Sequence, residues 1–192
     1  MQSSEVGRFS LDIDDKTFTL LPSFKNMAKI ADSKEILEYY NAIHNDYAAP
    51  WLRLSVAREI LLACADSKDI DNNLIHCEGM EPQLKENTIS ANDQVLVAAA
   101  LMRHGIAGVN RPKYAGSSKG QAKSIDKFDV NRLVADAMIH FKLSEHDALN
   151  LTMSKFCFLL AAKFPTESKD SDSPSLDDHK KAMQALMERN NV

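Results

Sequence analysis

Residues 140–165 read HFKLSEHDALNLTMSKFCFLLAAKFP, and the helical spacing within them decides the fold class. Ser144 and Asp147 stand at capping-box spacing, so the hydroxyl can accept an orphan N–H while a carboxylate sits in the positive first turn. A short helix therefore starts here and runs to Leu151, because Thr152 can cap a second one. On that second helix Met153, Phe156, Cys157, Leu160, Ala161 and Phe164 recur on one face. Phe158 and Leu159 widen the stripe, leaving chiefly Ser154, Lys155 and Lys163 for water. A helix apolar on most sides reads as a core helix, and Pro165 ends it.

Working outward, Phe9, Leu11 and Ile13 alternate along one extended segment and Phe18 and Leu20 along the next, which predicts a β-hairpin turning near Asp14 to Lys16. Ser23 opens a short helix carrying Phe24, Met27 and Ala31. Asp32 and Glu35 repeat the capping-box spacing ahead of a helix whose Ile36, Leu37, Tyr40 and His44 share a face. Pro50 begins the next helix, with Leu52, Val56, Ala57, Ile60, Ala63 and Cys64 as its stripe.

Ser67 to Asn87 is polar and irregular apart from Ile70, Leu74 and Ile75 and a short extended piece at Gln83 to Lys85, and it reads as a surface excursion. Ser90 and Asp93 then cap QVLVAAALMRHG, apolar on nearly every side, which predicts a buried helix stopped by Gly105 in the left-handed region. Ile106 to Lys127 is rich in Gly, Pro, Ser and Lys without periodicity, the composition of a long mobile loop, after which Asp129 caps VNRLVADAMIHF.

These elements predict a mainly α fold: one helical domain over 7–165 with an N-terminal β-hairpin and a mobile basic loop at about 106–127. Its core is expected to include Leu11, Phe18, Phe24, Ile60, Leu96, Leu101, Leu133, Phe156 and Leu160. An acidic linker (166–175) and a tethered helix (176–190) follow. That last helix, LDDHKKAMQALMERN, has a narrow stripe of Met183, Leu186 and Met187 and is marginal alone in water, so it needs its own domain or a partner to pack on. The adaptability of Met and the freedom of the linker TESKDSDSP favour a partner.

Composition narrows the function. A chain of 192 residues can bury roughly two thirds of its unfolded surface as one domain. Its formal charge of −4 is not that of a nucleic-acid binder, so any such role would need a local patch. The three cysteines, Cys64, Cys77 and Cys157, lack paired spacing and fit a reducing compartment. The N-terminus MQSSEVGRFS has neither a basic n-region nor an apolar h-region, and no apolar run approaches the length that spans a bilayer, so no membrane partner is expected.

The motifs that could carry chemistry are weak. GSSKG at 116–120 matches a nucleophile elbow with Ser118 in the catalytic place, but the flanks are polar rather than a strand and a helix, and linker is the better reading. His76, Cys77, Glu78 and Glu81, with Cys64 upstream, lack metal-ligand spacing. No catalytic residue, metal ligand or cofactor site is assigned. Arg103, Arg111, Lys113, Lys119, Lys123 and Lys127 face only Asp126 in the loop, a basic stretch that can attract an acidic protein surface or nucleic acid. Tyr114 is its one aromatic, which gives base stacking little support. The candidate partner-binding residues are therefore Arg111, Lys113, Lys119 and Lys123 together with Met183, Leu186 and Met187.

Four segments together resemble a family of tailed-bacteriophage proteins similar to the tail assembly chaperones of long-tailed phages. They are FTLLPSFKNMAKI (18–30), AREILLACAD (57–66), LVAAALMRHGIAG (96–108) and the run from Phe128 to Pro165. The most specific part is a small helix, the Leu151-Thr152-Met153 turn and the helix F-x-x-L-L-A-A-K-F-P that follows it. The resemblance implies a non-enzymatic protein of the infected bacterium's cytoplasm. It would hold the helical tape measure protein soluble while tail tube subunits assemble around it, with self-association as a further expectation. A structural minor tail protein kept in the virion and a small nucleic-acid-binding regulator are the alternatives.

Overall fold

The computed structural model describes residues 7–84, 88–109 and 127–165. The fold is mainly α with a short N-terminal hairpin. Strands β1 (Phe9–Ile13) and β2 (Lys16–Leu20) pair antiparallel with Phe9 opposite Leu20 and Leu11 opposite Phe18. Asp14 makes the turn at φ 52°, a left-handed value that Asp tolerates, and Thr17 Oγ1 donates to Asp12 Oδ1 at 2.7 Å across it. Alternation puts Phe9, Ile13, Phe18 and Leu20 inside and leaves Leu11 half-buried against them.

The chain then leaves β2 along the end of α3 (Pro50–Cys64), where the Leu21 N–H donates to the Cys64 carbonyl and the Asp66 N–H to the Thr19 carbonyl. Ser23 caps α1 (Phe24–Ile30) by accepting the Asn26 N–H. Asp32 Oδ1 accepts the N–H groups of Lys34 and Glu35 at 2.8 and 2.9 Å at the start of α2 (Glu35–His44). The inward face of α2 is deepest at Ile36 and Ile43. α3 begins on Pro50 as expected and buries Leu54 and Leu61 besides Val56, Ala57, Ile60 and Cys64. Because α1, α2 and α4 (Ala91–Met102) all pack on α3, the centre of the fold is the α3–α4 pair rather than the stretch at 140–165.

Residues 67–84 are not a surface excursion. Ile70, Leu74 and Ile75 are fully or almost fully buried, in a 3-10 turn (Lys68–Asn73) and the approach to a small hairpin of β3 (His76–Glu78) and β4 (Glu81–Gln83). What draws the segment in is Gln94, itself buried on α4. Its Oε1 accepts the Ile75 N–H at 2.9 Å, and its Nε2 donates to the carbonyls of Ile75 at 3.0 Å and Leu54 at 3.3 Å.

Ser90 caps α4 through the Asp93 N–H. Gly105 is not its left-handed stop. A π-turn (Arg103–Ala107) continues the helix, and Gly108 at φ 75° ends it, its N–H donating to the Arg103 carbonyl at 2.7 Å. Ile106, expected at the head of the loop, is buried in this turn. Leu96 corrects both the predicted core and the predicted all-round burial of α4, since it is 65% exposed.

Asp129, Ser144 and Thr152 cap α5 (Val130–Phe141), α6 (Glu145–Leu149) and α7 (Met153–Lys163) as their spacing predicts. Phe24 meets Phe128 and Phe156 edge-on, and Phe141 joins Phe156. The Phe24 N–H donates to the Leu151 carbonyl at 2.8 Å, and Ser23 and Thr152 pair there as a short antiparallel bridge. Of the predicted core, Phe18, Phe24, Ile60, Leu101 and Phe156 are buried, while Leu11, Leu133 and Leu160 only lean on it. α7 is thus a core helix on its inner side alone. Ser154, expected in water, is fully buried.

Candidate functional site

The described surface holds a groove of about 440 Å³ where the chain between α2 and α3 meets the first turns of α3 and α4. Its apolar walls are Ala48, Pro50, Leu54, Ala91, Val95 and Leu96. Local chemistry sets each wall. Asn45 folds the connection by accepting the Tyr47 N–H on its side chain and the Ala48 N–H on its carbonyl, each at 3.0 Å. Pro50 then starts α3 with the φ a first turn needs. The buried Leu54 forms the floor, and Gln94, bonded to its carbonyl, sets the register of α4 that brings Val95 and Leu96 to the opening.

The rim is open and mixed, with Asp46, Arg53 and Asn92 beside the apolar walls. Leu96 is 65% exposed and Tyr47, next to Ala48 in the chain, is 99% exposed. One charged pair borders the groove: Arg53 Nη2 lies 3.3 Å from Asp46 Oδ1 and also donates to the Ile43 carbonyl. A groove with an apolar wall that carries the exposed Leu96 suits an apolar side chain from another protein segment.

A second cavity of about 430 Å³ lies where α1, α2 and α5 converge, with Ile36, Phe128 and Leu149 in its walls and the caps Asp32 and Asp129 at its edge. The Phe128 N–H donates to the Ser33 carbonyl at 2.7 Å and holds α5 to α2. Backbone N–H groups of Glu35 and then Lys34 keep the Asp32 carboxyl below its ordinary range; the Arg132 N–H and then the Lys127 side chain do so for Asp129. A depressed folded-state pKa stabilises the domain above the ordinary carboxylate value and ceases to do so as pH falls below it. Stability should therefore drop on acidification below about pH 4, and Asp32→Asn with Asp129→Asn should flatten that acid limb in thermal melts. An unchanged limb would show that other carboxylates set it.

Arg111, Lys113, Lys119, Lys123, Ser118, Met183, Leu186 and Met187 lie outside the described residues, as do the linker 166–175 and the helix 176–190. The described ends of the basic stretch are engaged locally. Arg103 Nε donates to His44 Nε2 at 3.2 Å, and Lys127 pairs with Asp129 at 3.1 Å. Of the metal-ligand candidates, Cys64 is buried in α3, while His76 Nε2 lies 3.8 Å from Glu78 Oε1 on β3 and Glu81 stands opposite Glu78 on β4. Among the described residues no three His, Cys, Asp or Glu side chains could hold a metal ion.

Ser154 and His104 form a pair that sequence reasoning missed, with Ser154 Oγ 3.0 Å from His104 Nδ1 and accepting the Val109 N–H at 2.9 Å. Phe9 stands edge-on to the imidazole, and burial holds its pKa below the ordinary histidine value. With the serine fully buried, the pair serves to fasten the π-turn to α7. Sequence offered no signal for it, because fifty positions separate the partners. The groove was equally hidden. Its one sequence trace was Leu96 inside a helix apolar all round.

No described helix is long and apolar enough to cross a membrane. A family model described as a family of unknown function matches residues 53–181, more than half of the chain. No curated protein and no solved structure matches it.

Proposed function

This chain belongs to the family of unknown function DUF6246, and we propose that it is a non-enzymatic tail assembly chaperone of a tailed bacteriophage. In the host bacterial cytoplasm it holds the tape measure protein soluble while tail tube protein assembles around it. The observation that carries the docking role is the open groove whose apolar wall includes the exposed Leu96. The identity of the partner rests on the sequence resemblance of residues 18–30, 57–66, 96–108 and 128–165.

A long helical protein without its assembly partners exposes apolar stripes that aggregate, and a groove that takes one such side chain at a time shields them reversibly. Burying the exposed part of Leu96 on binding contributes roughly 1–2 kcal/mol. Leu96→Asp removes that contribution and sets a charge in the contact, so affinity should fall by roughly tenfold to a hundredfold. The fold should persist, because Leu96 faces solvent in the free chain.

Co-expression with the tape measure protein tests this directly. The wild-type chain should raise the soluble yield of its partner, and Leu96→Asp should lose most of that effect at an unchanged melting temperature. If the wild-type chain gives no gain, the chaperone role is wrong; if Leu96→Asp matches wild type, docking lies elsewhere. Mass spectrometry of purified particles separates a chaperone, absent from them, from a minor tail protein that stays.

A further inference from the structure

Helix α7 carries more apolar surface than its described neighbours cover. Met153, Phe156 and Cys157 are buried on its inner side. Around the helix Phe158 is 44% exposed, Ala162 is open to solvent and Leu159 is half-buried between them. Positions 158, 159 and 162 fall on one outward stripe, and a helix apolar on opposite sides is stable in water when both sides are covered. Lys155 and Lys163 flank the stripe, and α7 has no acidic residue.

The rest of the chain identifies the cover. Pro165 follows the C-cap of α7, so residues 166–192 set out from the foot of the stripe. Their first stretch, TESKDSDSP, has Glu167, Asp170 and Asp172 against Lys169, and Asp177 and Asp178 come next, ahead of Lys180 and Lys181, so residues 167–178 carry a charge opposite to that of Lys155 and Lys163. Beyond it Met183, Leu186 and Met187 supply apolar side chains at helical spacing. A linker of this length reaches about 30 Å, while α7 is about 16 Å long, so the chain can double back along it. Tethering gives an effective concentration in the millimolar range, which favours this occupant over one from solution.

We propose that residues 176–190 cover the Phe158–Leu159–Ala162 stripe of α7 within the same molecule, with the acids of residues 167–178 facing Lys163. Met183, Leu186 and Met187 then act in cis, although sequence alone inclines toward a separate partner. This cover is independent of the groove at Leu96 and requires no tape measure protein.

Hydrogen–deuterium exchange on the full-length chain tests the proposal. In the double variant Leu186→Asp, Met187→Asp, amides of α7 should exchange roughly tenfold faster while those of α3 stay unchanged. Phe158→Asp, at a solvent-facing position, should fold and should speed exchange in residues 176–190. Unaltered exchange of α7 in the double variant, or of 176–190 in Phe158→Asp, would overturn the proposal. So would protection of α7 that fades on dilution as the mass shifts from dimer to monomer, since the cover would then come from a second copy.

Discussion

Gln94→Leu should lower the free energy of unfolding by about 3 kcal/mol, read as an earlier urea midpoint with an unchanged slope. The leucine fills much the same volume, so packing is nearly kept and the loss is polar. The N–H and C=O of Ile75 lose their partner on Gln94, and the Leu54 carbonyl loses its side-chain donor. A buried peptide group without a partner costs roughly 1–3 kcal/mol. The damage should start at the 3-10 turn and spread to the floor of the groove, because Gln94 is the tie between residue 75, α3 and α4. A midpoint within experimental error of wild type would mean that water replaces the amide and that the clamp is dispensable.

Gly105→Ala should lower stability by about 2 kcal/mol and the melting temperature by about 4–8 °C. A Cβ at this position would stand 2.5 Å from Met27 Sδ, 2.9 Å from Met27 Cγ and 3.1 Å from Pro22 Cβ. Met27 is fully buried, so its thioether has little room to withdraw. The strain is steric and pairwise, which makes a double-mutant cycle decisive. Met27→Ala costs stability alone by opening a cavity, but the pair Met27→Ala, Gly105→Ala should cost clearly less than the sum of the two. Strict additivity would place the cause in the π-turn backbone instead.

Much of this fold was legible because its signals are local. Ser23, Ser90, Asp129, Ser144 and Thr152 each cap the helix that their spacing predicts, since a cap needs only the next three residues. The hairpin turned at Asp14 because alternation and turn chemistry agree over a dozen positions. What escaped depends on residues distant in sequence. Ile70, Leu74 and Ile75 look like stray apolar positions until Gln94 reaches them. Gly105 has the composition of a helix stop, yet it lies where Met27 needs room, and the stop falls on Gly108. Ser154 reads as a solvent position on α7 because its partners, His104 and Val109, are absent from any local window. The groove fared worst, because periodicity assigns Leu96 to a core and cannot tell which neighbour is missing.

The bridge between Ser23 and Thr152 also governs the order in which the domain can be completed. Phe24 takes its place by bonding to Leu151 and stacking edge-on to Phe156, residues that lie beyond α6. During synthesis the hairpin, α1 and the α3–α4 pair all leave the ribosome before that side of the core exists, and at roughly 5–20 residues per second the wait lasts several seconds. Throughout it the faces of Phe24 and Ser23 stay open. A nascent chain halted before Leu151 would therefore offer an open core face to the cell's folding machinery, and closure of this domain waits until α7 has been made.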